Sequence, residues 1–265
     1  MAAEPFVDIH CHLLPGIDDG AKDIAESLAM ARLAVADGIS TIVCTPHQCG
    51  NYACNRSDAI RRSVDELQQV LDDAEIPLQV LPGADVRIES DLIAELQADN
   101  ILSLADQRRH VLLELPHELY FPLEGLHRNL KAKGITGILS HPERNQGILD
   151  QPNLVKPLVE LGVLMQITAG SLVGTFGEKV QKFSEDLLCN GLVHFISTDA
   201  HSSKRRRPLL QRAYKRAVRL VGEDIALEVC CRNPMSIVKG QDITDGIRGK
   251  ARGGFRKWFS RRAAA

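Results

Sequence analysis

Seven short apolar runs recur along this 265-residue chain, at residues 6–9, 39–44, 78–81, 110–113, 135–139, 163–167 and 193–196. Segments with helical spacing separate most of them, at 23–36, 57–74, 123–132, 153–161 and 178–189. In the first segment Ile24, Leu28, Ala31 and Val35 share one face, and Gly38 follows as a stop. Gly134, Gly162 and Gly191 also stand between helix and strand, where a left-handed residue closes a helix. Alternation of this kind builds a parallel sheet covered by helices. No Gly-x-Gly-x-x-Gly follows the first run, which disfavours an open dinucleotide-binding sheet. The expected fold is α/β, a seven-stranded (β/α) TIM-like barrel. No Pro-, Gly- or Ser-rich linker interrupts it, so residues 1–245 read as one domain and 246–265 as a tail.

Barrel enzymes place their chemistry at the C-terminal ends of the strands. The first run ends in His10-Cys11-His12, with Asp18 and Asp19 in the loop beyond. Alternate residues of a strand share a face, so the two imidazoles aim at one point. The second run ends in Thr45-Pro46-His47, the third leads into Gly83-Ala84-Asp85, and the fourth stops at Glu114. The fifth gives Ser140-His141-Pro142-Glu143-Arg144 and the seventh Ser197-Thr198-Asp199-Ala200-His201. Only the sixth, Thr168-Ala169-Gly170-Ser171, lacks a strong ligand. Taken singly, each of these residues reads as a cap, a turn former or a solvated side chain. Ligand-type side chains at six of seven strand ends fit a metal cluster better.

Imidazoles mixed with carboxylates, and no cysteine in a consistent position, suit Mn²⁺, Fe²⁺ or Zn²⁺ more than Ca²⁺ or Mg²⁺. The donors exceed what one ion needs, so two or three ions are expected. Metals about 3.5–4 Å apart clamp the attacking and leaving oxygens of a phosphoryl transfer. Arg144, three residues beyond His141, offers a planar fork for a phosphate. The run Lys204-Arg205-Arg206-Arg207-Pro208 adds cationic reach, although a solvated turn explains its members other than Arg207 equally well.

Several classes are excluded. A net charge of −2 and a pI near 6.5 give no global pull toward nucleic acid or membrane. The seven cysteines are odd in number and scattered, and the N-terminus shows no signal-peptide pattern. A reduced, cytoplasmic setting is expected. No apolar stretch approaches the roughly 20 residues that span a bilayer. Cys49-x4-Cys54 near His47 fits no standard zinc module. No cysteine has an arginine six residues on, as a phosphate-cradling Cys-x5-Arg loop requires; Cys49 to Arg56 is one residue too long.

The segment His10-Cys11-His12-Leu13-Leu14-Pro15-Gly16-Ile17-Asp18-Asp19-Gly20, with Glu26-Ser27 and Thr45-Pro46-His47, resembles the PHP-type bacterial tyrosine phosphatases. These are manganese-dependent enzymes of capsule and exopolysaccharide operons. Leu113-Glu114-Leu115, Ser140-His141-Pro142-Glu143-Arg144 and Ser197-Thr198-Asp199-Ala200-His201 match in the same order, so the resemblance covers residues 6–240. It implies a distorted seven-stranded β/α barrel, the PHP fold, that dephosphorylates phosphotyrosine on a cognate tyrosine kinase. By matching positions it implies a first Mn²⁺ held by His10, His12 and Asp199, with Asp85 bridging to a second that Glu114 and His141 complete. Asp19, His47 and His201 would hold a third. Arg144 and Arg207 would be the catalytic, phosphate-binding arginines. One departure stands out: the family usually has Glu where this chain has Asp85, one methylene shorter.

The nearest rival reading is a PHP phosphatase acting on a small phosphoester such as histidinol phosphate, against which the Asp-Asp-Gly loop argues. A metal amidohydrolase commonly has a bridging lysine at the fourth strand end, where this chain has Glu114. Residues 248–262 hold seven basic residues and no acidic one, with Phe255, Trp258 and Phe259 interleaved. A disordered, solubilising tail is expected there. The alternative is a weak inner-membrane contact beside a membrane-bound kinase.

Overall fold

The computed structural model describes residues 4–243. Its strands are β1 (Phe6–Cys11), β2 (Ile39–Cys44), β3 (His47–Gln48), β4 (Gln79–Pro82), β5 (Asp85–Arg87), β6 (His110–Glu114), β7 (Thr136–Ser140), β8 (Leu164–Thr168) and β9 (Phe195–Ser197). They form two sheets of order β1-β2-β4 and β3-β5-β6-β7-β8-β9, and every pairing within them is parallel.

The seven expected strands appear as nine because two of them break. β2 stops before Thr45-Pro46, where proline has no N–H to give a ladder, and the chain resumes as β3. β4 gives way to β5 across Gly83 and Ala84. A Cβ on Gly83 would lie 2.6 Å from Val43 Cγ1, so only glycine permits that approach. Neighbouring strands stay in step across both breaks, with Cys44 opposite Pro82 and His47 opposite Asp85. Between β9 and β1 the described residues form a single parallel bridge, Cys11 to Ala200, in place of a ladder. There the Asp199 N–H donates to His10 O at 2.7 Å, and the His12 N–H donates to Ala200 O at 2.9 Å.

Side chains from six strands meet in an inner apolar cluster of Val7, Ile9, Val43, Leu112, Ile138, Leu164 and Phe195. A larger outer cluster packs helices against the other faces, for example Met30 and Ala34 from helix Ile24–Asp37 and Leu67 and Leu71 from helix Ser57–Asp73. Burial of each large apolar side chain contributes about 1.5–3 kcal/mol. Helix Ile24–Asp37 starts at Asp23, whose carboxylate accepts the Glu26 N–H at 2.9 Å, and ends at Gly38 with φ +99°. The two apolar layers hold the strand ends rigidly, and that rigidity positions the polar rim described next. No helix among the described residues is long and apolar enough to cross a membrane. The basic tail of residues 246–265 lies outside the described residues.

Candidate metal centre

β1 departs from regular pairing between Asp8 and Cys11, yet its two histidines still converge. His10 Nε2 and His12 Nε2 lie 3.3 Å apart, and Asp199 Oδ1 sits 3.3 Å from the first and 3.6 Å from the second. Asp85 Oδ2 lies 3.5 Å from both His10 Nε2 and His47 Nδ1. His47 Nδ1 is also 3.6 Å from Glu114 Oε2, while Glu114 Oε1 is 3.7 Å from His141 Nε2. On the far side, Asp19 Oδ1 lies 3.5 Å from His47 Nε2 and 3.5 Å from His201 Nε2. All nine ligand-type residues named from the sequence therefore meet at one rim.

The groups overlap. Among the described residues, donor atoms within 4.8 Å of one another include those of His12, Asp19, His47 and His201, of His10, His12 and Asp85, of His10, His141 and Asp199, and of His47, Asp85 and Glu114. The structure thus gives His12 a place beside Asp19, and His47 a place beside Asp85 and Glu114, that the three-ion assignment did not include. Cys49 and Cys54 join none of these groups.

The backbone is bent to this purpose. His141 has φ +32° and Asp199 φ +50°, a left-handed conformation uncommon outside glycine that concentrates where structure is strained for function. It turns the chain sharply just after β7 and just after β9. Gly20 in the Asp-Asp-Gly loop is required sterically, since a Cβ there would lie 2.4 Å from His12 O.

The donor set fits cations. His10 Nδ1 lies 2.9 Å from Gln166 Oε1 and His12 Nδ1 lies 2.6 Å from Asp18 Oδ2. Oxygens accept, so both Nδ1 atoms donate, and both rings turn Nε2 toward Asp199 and toward each other. Asp85 is fully buried, and neither of its oxygens has a hydrogen-bond partner among the described residues. Buried carboxylates are otherwise hydrogen-bonded, paired or bound to metal.

Electrostatics polarise the cluster. Burial pulls the His10 imidazole down, but the Asp199 and Asp85 carboxylates outweigh it and lift His10 to about 9. His12 is pushed down to about 4 by burial and by the His201 imidazole. Burial opposes ionisation of Asp85, yet His10 and His47 hold it below the usual carboxylate range. Burial, reinforced by the Asp85 charge, raises Glu114 to about 7. Asp199 is held well below the usual range because His10, Arg144 and Arg206 overcome the cost of its burial.

Arg144 Nη1 is hydrogen-bonded to Asp199 Oδ2 and lies 3.5 Å from Thr168 Oγ1, and its guanidinium sits 4.5 Å over the Phe176 ring. The second arginine on Asp199 is Arg206, whereas Arg207 is exposed and lines an adjoining cavity. The loop geometry explains the difference. Arg206 O accepts the N–H groups of His201 and Ser202 at 2.9 and 3.0 Å, which folds Arg206 back over Asp199.

Asp8, Gln166 and Phe176 are supporting residues that the sequence reading did not single out, and Asp18 was named only as part of the loop. Asp8 is buried and accepts from Thr198 N at 3.0 Å, Thr198 Oγ1 at 2.5 Å and His10 N at 3.2 Å, bracing the turn that carries Asp199. Burial lifts its carboxyl to about 6 against these hydrogen bonds. Asp8 and Gln166 were visible as polar residues inside apolar runs, which need partners when buried. Asp18 ties His12 to the loop, accepting Gly20 N at 2.9 Å and His47 N at 3.0 Å. Phe176 carried no signal in the sequence.

Comparison with known proteins gives a consistent picture. Residues 6–239 match the family model described as capsular polysaccharide synthesis, CpsB/CapC. The tyrosine-protein phosphatase YwqE of Bacillus subtilis is 43% identical over 203 residues, covering 76% of this chain and 79% of that protein. The tyrosine-protein phosphatase CpsB of Streptococcus pneumoniae is 27% identical over 243 residues, covering 90% of this chain and all of that protein. A crystal structure from work on YwqE of B. subtilis and CpsB of S. pneumoniae, described as unique metal-dependent tyrosine phosphatases, superposes with a TM-score of 0.86 at 38% identity, over 90% of this chain and 96% of that one. The lactonase Lmo2620 of Listeria monocytogenes, 14% identical with a TM-score of 0.59 over 90% and 95% of the two chains, shares the fold alone. The architecture is that of α/β metal-dependent hydrolases with parallel sheets, and the chain belongs to the CpsB/CapC family of capsular polysaccharide synthesis.

Proposed function

We propose that this chain is a metal-dependent protein-tyrosine phosphatase, acting on a tyrosine kinase that governs capsule or exopolysaccharide synthesis. One observation carries the chemistry: the fully buried carboxylate of Asp85 lies 3.5 Å from both His10 and His47. We read the two sheets as one distorted seven-stranded barrel, with β2–β3 and β4–β5 as single broken strands. Residues 1–245 form the catalytic domain, and the enzyme works in the cytoplasm.

His10, His12 and Asp199 would hold one ion, Glu114 and His141 a second with Asp85 shared, and Asp19, His47 and His201 a third. The mixed imidazole and carboxylate donors suit Mn²⁺, with Fe²⁺ or Zn²⁺ as competitors. Divalent cations there supply charge neutralisation on phosphoryl oxygens and activation of water.

The chain's own residues do the rest. Arg144 presents its guanidinium fork to the phosphate, and Phe176 and Thr168 hold that fork in place. Arg206 and Arg207 add positive charge at the same edge. Gln166 and Asp18 fix which nitrogen His10 and His12 offer, and Asp8 keeps Asp199 in its turn. A tyrosyl phenolate, with a pKa of about 10, leaves with little help from an acid.

The test is turnover of a phosphotyrosine peptide against histidinol phosphate by the Mn²⁺-loaded protein. The peptide is expected to be the better substrate by kcat/KM. Preference for histidinol phosphate would replace this reading with the small-phosphoester one.

A further inference from the structure

A cavity of about 90 Å³ adjoins the arginine edge of the site. Phe176, the ring beneath Arg144, lines it, as do Thr168 and Thr198, neighbours of Arg144 and Asp199. Arg205, Arg206, Arg207 and Arg212 also line it, and among the described residues no acidic one does. Arg206 is held by Asp199. Arg205, Arg207 and Arg212 have no carboxylate within 4.0 Å among the described residues. Like charges gathered in a concave site focus positive potential and raise the local concentration of anions. None of the nine candidate metal ligands lines this cavity, and Arg206, which pairs with Asp199, joins it to the metal centre.

We propose that Arg205 and Arg212 form an anion subsite that takes an acidic or phosphorylated side chain flanking the scissile phosphotyrosine. The inference rests on the tyrosine-phosphatase reading and adds a substrate preference to it: targets carrying a second anion close to the phosphotyrosine. Both arginines are exposed, so the contact is solvated and salt-sensitive. It acts through KM and leaves the chemical step alone.

Three phosphotyrosine peptides of equal length test this, with glutamine, glutamate or a second phosphotyrosine at the flanking positions. With wild-type Mn²⁺-loaded protein, kcat/KM should rise about threefold to tenfold from the glutamine peptide to the anionic ones, the gain lying in KM and shrinking in about 0.5 M salt. A gain shared by both anionic peptides assigns the subsite to anions generally, and a gain confined to the doubly phosphorylated peptide assigns it to phosphate. The variant R205Q/R212Q should turn over the glutamine peptide at the wild-type kcat and lose most of the preference. Equal kcat/KM for all three peptides in the wild type overturns the proposal without reference to any variant, and so does a preference undiminished in R205Q/R212Q. Failure to turn over any of the peptides would instead overturn the phosphatase reading beneath it.

Discussion

The Nδ1–H of His12 donates to Asp18 Oδ2 across 2.6 Å, so a residue beside the candidate ligand Asp19 decides which nitrogen His12 turns toward the centre. Asp18 also accepts Gly20 N and His47 N, so one carboxylate orients two candidate ligands. Partners of this kind raise ligand basicity and hold ring orientation. Asp18→Asn should therefore weaken Mn²⁺ binding about 10–100-fold, as read by calorimetric titration of chelated protein. Unchanged affinity would show that Asp18 merely shapes the loop.

Asp85 is a fully buried carboxylate that faces both the His10 and the His47 imidazole at 3.5 Å. Asp85→Ala should lower the number of bound ions per chain and reduce turnover by about 100-fold or more, on the scale of losing a charge-stabilising group. Asp85→Glu should keep both properties near wild type. Metal content and activity untouched by Asp85→Ala would remove Asp85 from the centre.

Arg144 is expected to act on the phosphate and not on the fold. Arg144→Ala should cut kcat on a phosphotyrosine peptide by about 100–1,000-fold while metal content stays the same. Phe176→Leu should cost about threefold through loss of the cation–π contact. That cost should vanish in the Arg144→Ala background, because Phe176 acts through Arg144. An equal loss in both backgrounds would give Phe176 a role of its own.

His110 opens β6 and is buried, and burial pushes its imidazole down to about 4. The unfolded chain takes up this proton near pH 6.5, and the folded chain only near pH 4. Stability is therefore unaffected above pH 6.5 and falls progressively as pH drops from 6.5 to 4, by about 3 kcal/mol for this group alone. Urea unfolding of chelated protein across that range should show the loss, and His110→Leu should flatten it. An equally steep decline in His110→Leu would assign the acid sensitivity elsewhere.

Much of this arrangement was legible because strand ends carry ligand-type residues at fixed places after each apolar run. His10, His12, His47, Asp85, Glu114, His141, Asp199 and His201 follow that rule, and Asp19 lies in the loop after the first run. The break before β3 follows from Pro46 itself, whereas the break at Gly83 was harder to read, because it depends on a close approach to Val43 that local periodicity does not encode. The same holds for Arg206, which reaches Asp199 only because its carbonyl caps two N–H groups of the preceding turn. Phe176 lies 32 residues after Arg144 in sequence, and only the tertiary fold stacks them.

If the clustered histidines and carboxylates hold the ions on which phosphotyrosine hydrolysis depends, activity must follow metal occupancy. The most direct test titrates Mn²⁺ into chelated protein while following kcat on a phosphotyrosine peptide, with bound metal counted at each step. Chelated protein should show no turnover, and kcat should rise with occupancy to two or three ions per chain. Full turnover in chelated protein, or bound metal with no hydrolysis of phosphotyrosine, would contradict this dependence.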